Sequence, residues 1–165
     1  LVMANYMLGG GLLNSRLAER IRPKEGISYG VGSGLGASSL DRAGVYQAYA
    51  IYNPANVGRL EVAYQEEIAR ALKGGFSQDE LDKARQGWLQ QNELARSRDA
   101  SLAGTLANDL FVGRTMAYDS TLDARVRSLT AADVNSAFRR FIDPAKFITV
   151  EAGDFDKKPA EAAHP

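Results

Sequence analysis

Two side chains in the stretch RIRPKEGISYGVGSGLGA, residues 20–37, have the types and spacing to act on a polar substrate. Arg22 and Tyr29 stand seven residues apart around Gly26. A guanidinium and a phenol are both hydrogen-bond donors and need no cofactor. Aimed at one point, they hold a carbonyl or stabilise a developing oxyanion. The same residues have an ordinary structural reading, in which a helix-end arginine pairs with Glu19 or Glu25 and a strand tyrosine packs on the core. Residue types alone leave both readings open.

Immediately downstream, Gly30, Gly32, Gly34 and Gly36 alternate with other residues. In the frame GSGLGA they match the G-x-G-x-x-G/A dinucleotide pattern. That fingerprint works where the glycines end a strand and open a helix whose N-terminus holds a pyrophosphate. Here a turn and a second strand follow, and the next helix begins only near Asn53. Alternating glycines in a strand fit better with a flat backbone that something else approaches closely.

Composition excludes much other chemistry. The chain has no cysteine, hence no disulfide, no Cys-ligated zinc and no thiol nucleophile. Its single histidine, His164, lies in the terminal KKPAEAAHP and cannot complete a three-ligand zinc site or a histidine-based triad. Lys plus Arg balance Asp plus Glu at 20 each, which argues against nucleic acid or an anionic membrane as partner. No apolar run approaches the roughly 20 residues that span a bilayer. No secretory signal pattern is visible, and LVMANYM opens abruptly in an apolar helical pattern, as expected of a segment cut from something longer. Absence of cysteine is compatible with cytoplasm or periplasm.

The elements that must position these residues follow from periodicity. With 165 residues, 45% of them hydrophobic, the chain suits one domain with its own core. Residues 1–8 read as a buried helix stopped by Gly9-Gly10-Gly11. A short helix over 16–22, capped by Asn14 or Ser15 and ended by Pro23, shows Leu13, Leu17 and Ile21 on one face. Two β-like runs, ISYGVGSGLGASS and GVYQAYAIY, form a hairpin around LDRAG. The second alternates Val45, Gln47, Tyr49 and Ile51 against Tyr46, Ala48, Ala50 and Tyr52. Asn53 and Pro54 open a long helix with an apolar stripe at Val57, Leu60, Tyr64, Ile68, Ala71 and Leu72. Ser77 with Glu80 is a capping box before another, which carries Trp88 as a packing anchor. Helices are further predicted over 101–113, 120–129 and from Thr130 onward. KFITVEAGD reads as a terminal strand. The expected class is α+β, a small antiparallel or mixed sheet covered by several helices.

The combined pattern resembles a known family. Leu8-Gly9-Gly10-Gly11, Ser15-Arg16-Leu17, Arg22, Gly26-Ile27 and Tyr29 are similar to the C-terminal homologous domain of the pitrilysin/insulinase-type zinc peptidases, whose superfamily includes the mitochondrial processing peptidases. GGFSQDELDKAR resembles that family's G-x-[ST]-x-x-E-L-x-x-A-[KR] helix start. The resemblance covers about residues 1–153. It implies a domain over 1–154, truncated at its N-terminus with the opening strand missing, and a disordered tail over 155–165.

What the resemblance implies is a division of labour. In such peptidases a homologous N-terminal domain or partner subunit carries an H-x-x-E-H zinc motif, whose glutamate is the general base. The C-terminal half faces it across a chamber and supplies an arginine and a tyrosine. On this chain those positions are Arg22, to anchor a substrate carbonyl, and Tyr29, to donate to the tetrahedral oxyanion. Gly30, Gly32 and Gly34 would lie beside the bound peptide. The chain has no H-x-x-E-H, so zinc would be held by the other half and this chain alone would be inactive. A peptide substrate and the zinc-bearing half are the implied partners, a dimer being one arrangement. The alternative within the superfamily is a non-catalytic scaffold or partner subunit. A stand-alone module that binds peptides by strand addition to the glycine strand is a third reading.

Overall fold

The computed structural model describes residues 1–11, 14–24 and 27–154, with Pro23, Lys24 and Tyr29 described by their backbone. Leu12, Leu13, Glu25, Gly26 and the tail 155–165 with His164 lie outside the described residues. The class is α+β: one two-stranded antiparallel sheet and seven α-helices among the described residues.

The hairpin is built from β1 (Ser28–Ala37) and β2 (Gly44–Tyr52). Its turn closes through Ser38 N–H to Ala43 O at 2.8 Å, and the Asp41 carboxylate accepts from Ala43 N–H at 3.1 Å. Strand alternation divides the two faces. Val31, Tyr46, Ala50 and Tyr52 pack against the core, whereas Val45, Tyr49 and Ile51 are each more than half exposed. Tyr46 stacks on Phe147 at 5.9 Å between ring centroids. Burial, with Tyr64 beside it, pushes the Tyr46 phenol far above its ordinary range.

Two short helices lie under β1. The first, α1 (Val2–Asn5), runs on as a π-helical turn over Tyr6–Gly10. The expected stop at the triple glycine is therefore displaced, for Gly9 and Gly10 are helical and the stop falls at Gly11. Packing explains why glycine is there. A Cβ on Gly9 would stand 2.5 Å from Ser33 Oγ and 2.9 Å from the Ser33 backbone nitrogen. The helix thus crosses β1 at backbone distance, and Ser33 Oγ donates to Asn5 Oδ1 at 2.8 Å across the same crossing.

The second, α2 (Arg16–Glu19), likewise continues as a π-helical turn, Arg20–Lys24. Pro23 sits inside this turn rather than ending the helix before it. A widened turn tolerates a proline because its nitrogen is not required as a donor to the fourth preceding carbonyl. Ser15 has the extended backbone of an N-cap, without a side-chain capping bond.

After a 3-10 turn at Pro54–Asn56, capped by Asn53 accepting from Ala55 N–H at 3.0 Å, the long helices follow. They are α3 (Val57–Gly74), α4 (Gln78–Arg96), α5 (Asp99–Phe111), α6 (Met116–Ser128) and α7 (Ala131–Phe141). Capping boxes open α4 (Ser77 with Glu80) and α7 (Thr130 with Asp133). The core joins Met3, Leu8, Leu17, Ile68, Leu81 and Phe138, and Trp88 packs against it. In α5, by contrast, Asp109 is the buried residue, and Leu110 and Phe111 are exposed. The bidentate Arg96–Asp123 pair, at 2.7 and 3.1 Å, ties α4 to α6.

The predicted terminal strand does not form. Phe147 is held by Tyr46 and Tyr64, but residues 147–152 pair with neither strand, and Ile148 and Val150 are 89% and 85% exposed. An alternating sequence becomes a strand only with a ladder partner. Here one aromatic anchor holds the segment instead.

One ion pair connects segments far apart in the chain. Arg16 donates from Nε and Nη2 to the two Glu80 carboxylate oxygens at 2.7 and 2.9 Å, and from Nη2 to Gly75 O at 2.8 Å. Its guanidinium lies over the Phe76 ring at 4.5 Å, with Glu67 Oε1 3.9 Å from Nη1. Glu80 also accepts from Ser77 N–H at 2.8 Å. Asn135 of α7 completes the clamp, accepting from Phe76 N–H at 2.7 Å and donating to Phe76 O at 2.9 Å. Gly75 permits this, with φ of 73° and no room for a Cβ against Asn135.

Removing Arg16 would leave Glu80, the buried Glu67 and Gly75 O short of a partner. Arg16→Ala is expected to destabilise by about 3 kcal/mol in urea denaturation. Burial alone would raise the Glu80 carboxyl, but Arg16 and the Ser77 hydrogen bonds outweigh it and hold the group at about 2, against an ordinary 4.5. A folded pKa below the unfolded one adds stability above the unfolded value, lost as pH falls through the folded value. Melting temperature should therefore drop more steeply between pH 4.5 and pH 2 in the wild type than in Glu80→Gln. Asp123, lowered by Arg96, and Asp133, lowered by Thr130, titrate in both proteins and cancel in that comparison.

Candidate functional site

Arg22 stands in the π-helical turn that ends the second short helix, and Tyr29 is the second residue of β1. One backbone bond ties these two places together. Ile27 N–H donates to Ile21 O at 3.2 Å, returning the chain to the end of its own helix just before β1 starts. The backbone at Arg22 and that at Tyr29 therefore lie at the same end of the hairpin.

The Arg22 side chain is half-buried. Among the described residues it has no hydrogen-bond or ion-pair partner. Its neighbour Arg20 takes Glu66 at 2.7 Å, and Glu19 is exposed. The alternative pairing of Arg22 with Glu19 is thus not made, and Glu25 lies outside the described residues.

Tyr29 occupies an irregularity. Ser28 faces Tyr52 and Gly30 faces Ile51, so three residues of β1 oppose two of β2 and Tyr29 is the extra one. Sequence reading did not single out Ser28. Its hydroxyl lies 2.5 Å from Ile51 O and 3.0 Å from Gly30 O, and it accepts from Gly30 N–H at 3.1 Å. Only the register exposes its role, because a serine before a tyrosine carries no local mark of a bulge.

Beyond the bulge the register is regular, with Gly30, Gly32, Gly34 and Gly36 opposite Ile51, Tyr49, Gln47 and Val45. All eight belong to the outer face. The glycine strip is not uniformly bare. A Cβ on Gly32 would meet the Tyr49 ring at 3.1 Å and one on Gly30 would meet Ile51 at 3.3 Å. At Gly34 a Cβ would meet the Gln47 side chain at 3.7 Å, an ordinary contact distance. Side chains of β2 thus press closely on the first two glycines and less closely on the third.

The described residues do not suit a zinc ion. Among the described residues there is no group of three or more His, Cys, Asp or Glu side chains that could hold a metal. Nor is any helix among them long and apolar enough to cross a membrane.

The chain belongs to the family described as the Peptidase M16 inactive domain, whose model matches residues 1–87. Arg16, Arg22, Tyr29 and Glu80 all fall within that match. The chain is similar to the peptidase M16 inactive domain from Pseudomonas fluorescens, at 25% identity and a TM-score of 0.73, over 86% of this chain and 33% of that one. It shares its fold with a protease from Helicobacter pylori, at 20% identity and a TM-score of 0.69, over 84% of this chain and 33% of that one. It also shares it with a candidate zinc protease from Bordetella pertussis Tohama I, at 20% identity and a TM-score of 0.67, over 90% of this chain and 83% of that one. The chain spans about a third of the length of the Pseudomonas and Helicobacter chains. No curated protein matches it significantly.

Proposed function

We propose that the chain is the substrate-binding half of a zinc metalloendopeptidase, with the zinc held by a homologous half. The observation that carries this reading is the half-buried Arg22 guanidinium. It lacks a partner among the described residues, and the backbone at Arg22 lies at the same end of the hairpin as that at Tyr29. Membership of the inactive-domain family and a fold shared with proteases support it.

In this reading Arg22 holds a backbone carbonyl of an extended peptide through charge-assisted hydrogen bonds. The Tyr29 phenol donates to the oxygen of the attacked carbonyl as it gains charge. A donor that strengthens as charge develops lowers the barrier more than it strengthens ground-state binding. The outer face of β1 flanks the peptide, with Gly34 offering the closest approach. Binding and positioning are this chain's share of the work.

Mixing the chain with its zinc-bearing half should restore peptide cleavage that a chelator abolishes. In that complex Tyr29→Phe should lower kcat by about 100-fold. Normal turnover by this variant would remove Tyr29 from the chemistry. Cleavage intact in both Tyr29→Phe and Arg22→Ala would place the chain with the non-catalytic partners of the superfamily. Gly34→Ala, whose added Cβ would meet the Gln47 side chain only at ordinary contact distance, should raise KM by about threefold with an unchanged melting temperature. An unchanged KM would show that the peptide does not pass along β1.

A further inference from the structure

We propose that Ser28 is a positioning residue for Tyr29, holding it on the bulge of β1; the inference rests on the peptidase reading above and names a new residue within that site. The argument starts from register. In a regular antiparallel pair, each residue's facing direction is set by its neighbours in the ladder. The bulge between Ser28 and Gly30 breaks that constraint at one residue, Tyr29. A bulge re-aims the side chain it carries and adds local twist. Something other than the ladder must then decide where Tyr29 is held.

Ser28 supplies that something. Its hydroxyl reaches both strands and both sides of the bulge. It donates its one proton to Ile51 O at 2.5 Å, the nearer of two carbonyls in reach, and accepts from Gly30 N–H at 3.1 Å. The second carbonyl, Gly30 O, lies at 3.0 Å. Ser28 is 6% exposed, so water does not readily take over these bonds. Alanine at 28 would remove the bridge and leave Ile51 O and Gly30 N–H without this partner. The bulge would then lose the link that spans it, and Tyr29 would drift relative to Arg22. Displacements near 1 Å at a reacting centre cost up to about 100-fold in rate.

The test uses the complex of the chain with its zinc-bearing half. Ser28→Ala is expected to lower kcat by about 10- to 100-fold with KM within about twofold. Ser28→Thr, which retains the hydroxyl, should recover most of the rate. If Ser28 acts through Tyr29, the double variant Ser28→Ala/Tyr29→Phe should be no slower than Tyr29→Phe alone. Wild-type turnover in Ser28→Ala, or losses that multiply in the double variant, would overturn the proposal. A second readout needs no activity. Amide exchange at Gly30 and the backbone chemical shifts of Tyr29 should change in Ser28→Ala and return in Ser28→Thr; unchanged values would overturn it equally. A wild-type complex without peptidase activity would defeat the peptidase reading, while the exchange measurement would still decide whether Ser28 holds the bulge.

Discussion

The Arg16 guanidinium is the constraint on which the rest of the packing depends. It is almost buried, with a side-chain exposure of 11%, and it binds Glu80, Gly75 O and the face of Phe76 at once. Each partner belongs to the joint between α3 and α4, 59 to 64 residues further along the chain. Glu80 is shared between this pair and the capping box of α4, so one carboxylate fixes both the start of that helix and its distance from the second short helix. Planar, bidentate geometry makes the arrangement directional in a way that a lysine's point charge would not be.

From this node the site is reached in a few steps. Arg16 holds the second short helix against α3 and α4, and that helix ends in the π-helical turn containing Arg22. The Ile27–Ile21 bond returns the chain to this turn, and β1 begins immediately afterwards. β1 is also crossed at backbone distance by the first short helix, where Gly9 meets Ser33. The hairpin is therefore supported from beneath by both short helices, while its outer face, with Val45, Tyr49 and Ile51, is left exposed. Rigid support behind and an unfilled surface in front is an arrangement suited to positioning another molecule.

The elements that rest on local rules were legible in the sequence. The capping box at Ser77–Glu80, the Asn53 cap and the hairpin turn all have partners within a few residues of one another. Where the outcome depended on distant segments, local signals misled. The triple glycine read as a terminator, yet Gly9 serves a helix–strand contact with Ser33, 24 positions away in numbering. Residues 147–152 alternate as a strand should, but they have no ladder partner among the described residues. Arg22 and Tyr29 stand out in the sequence through the family resemblance, whereas the bulge at Tyr29 and the bridge made by Ser28 leave no mark there.

By itself, then, the sequence determined the class of the fold, the starts of α4 and α7 and the absence of cysteine and of H-x-x-E-H, because these follow from composition or from contacts within a turn of chain. Tertiary structure alone decided that Arg16 joins Glu80, that Arg22 is left without a partner among the described residues, and that Ser28 spans the break in the ladder. Those outcomes turn on which groups meet after the chain has folded back on itself. A hydrogen bond between residues 64 positions apart, or a one-residue shift of register, leaves no periodicity to read.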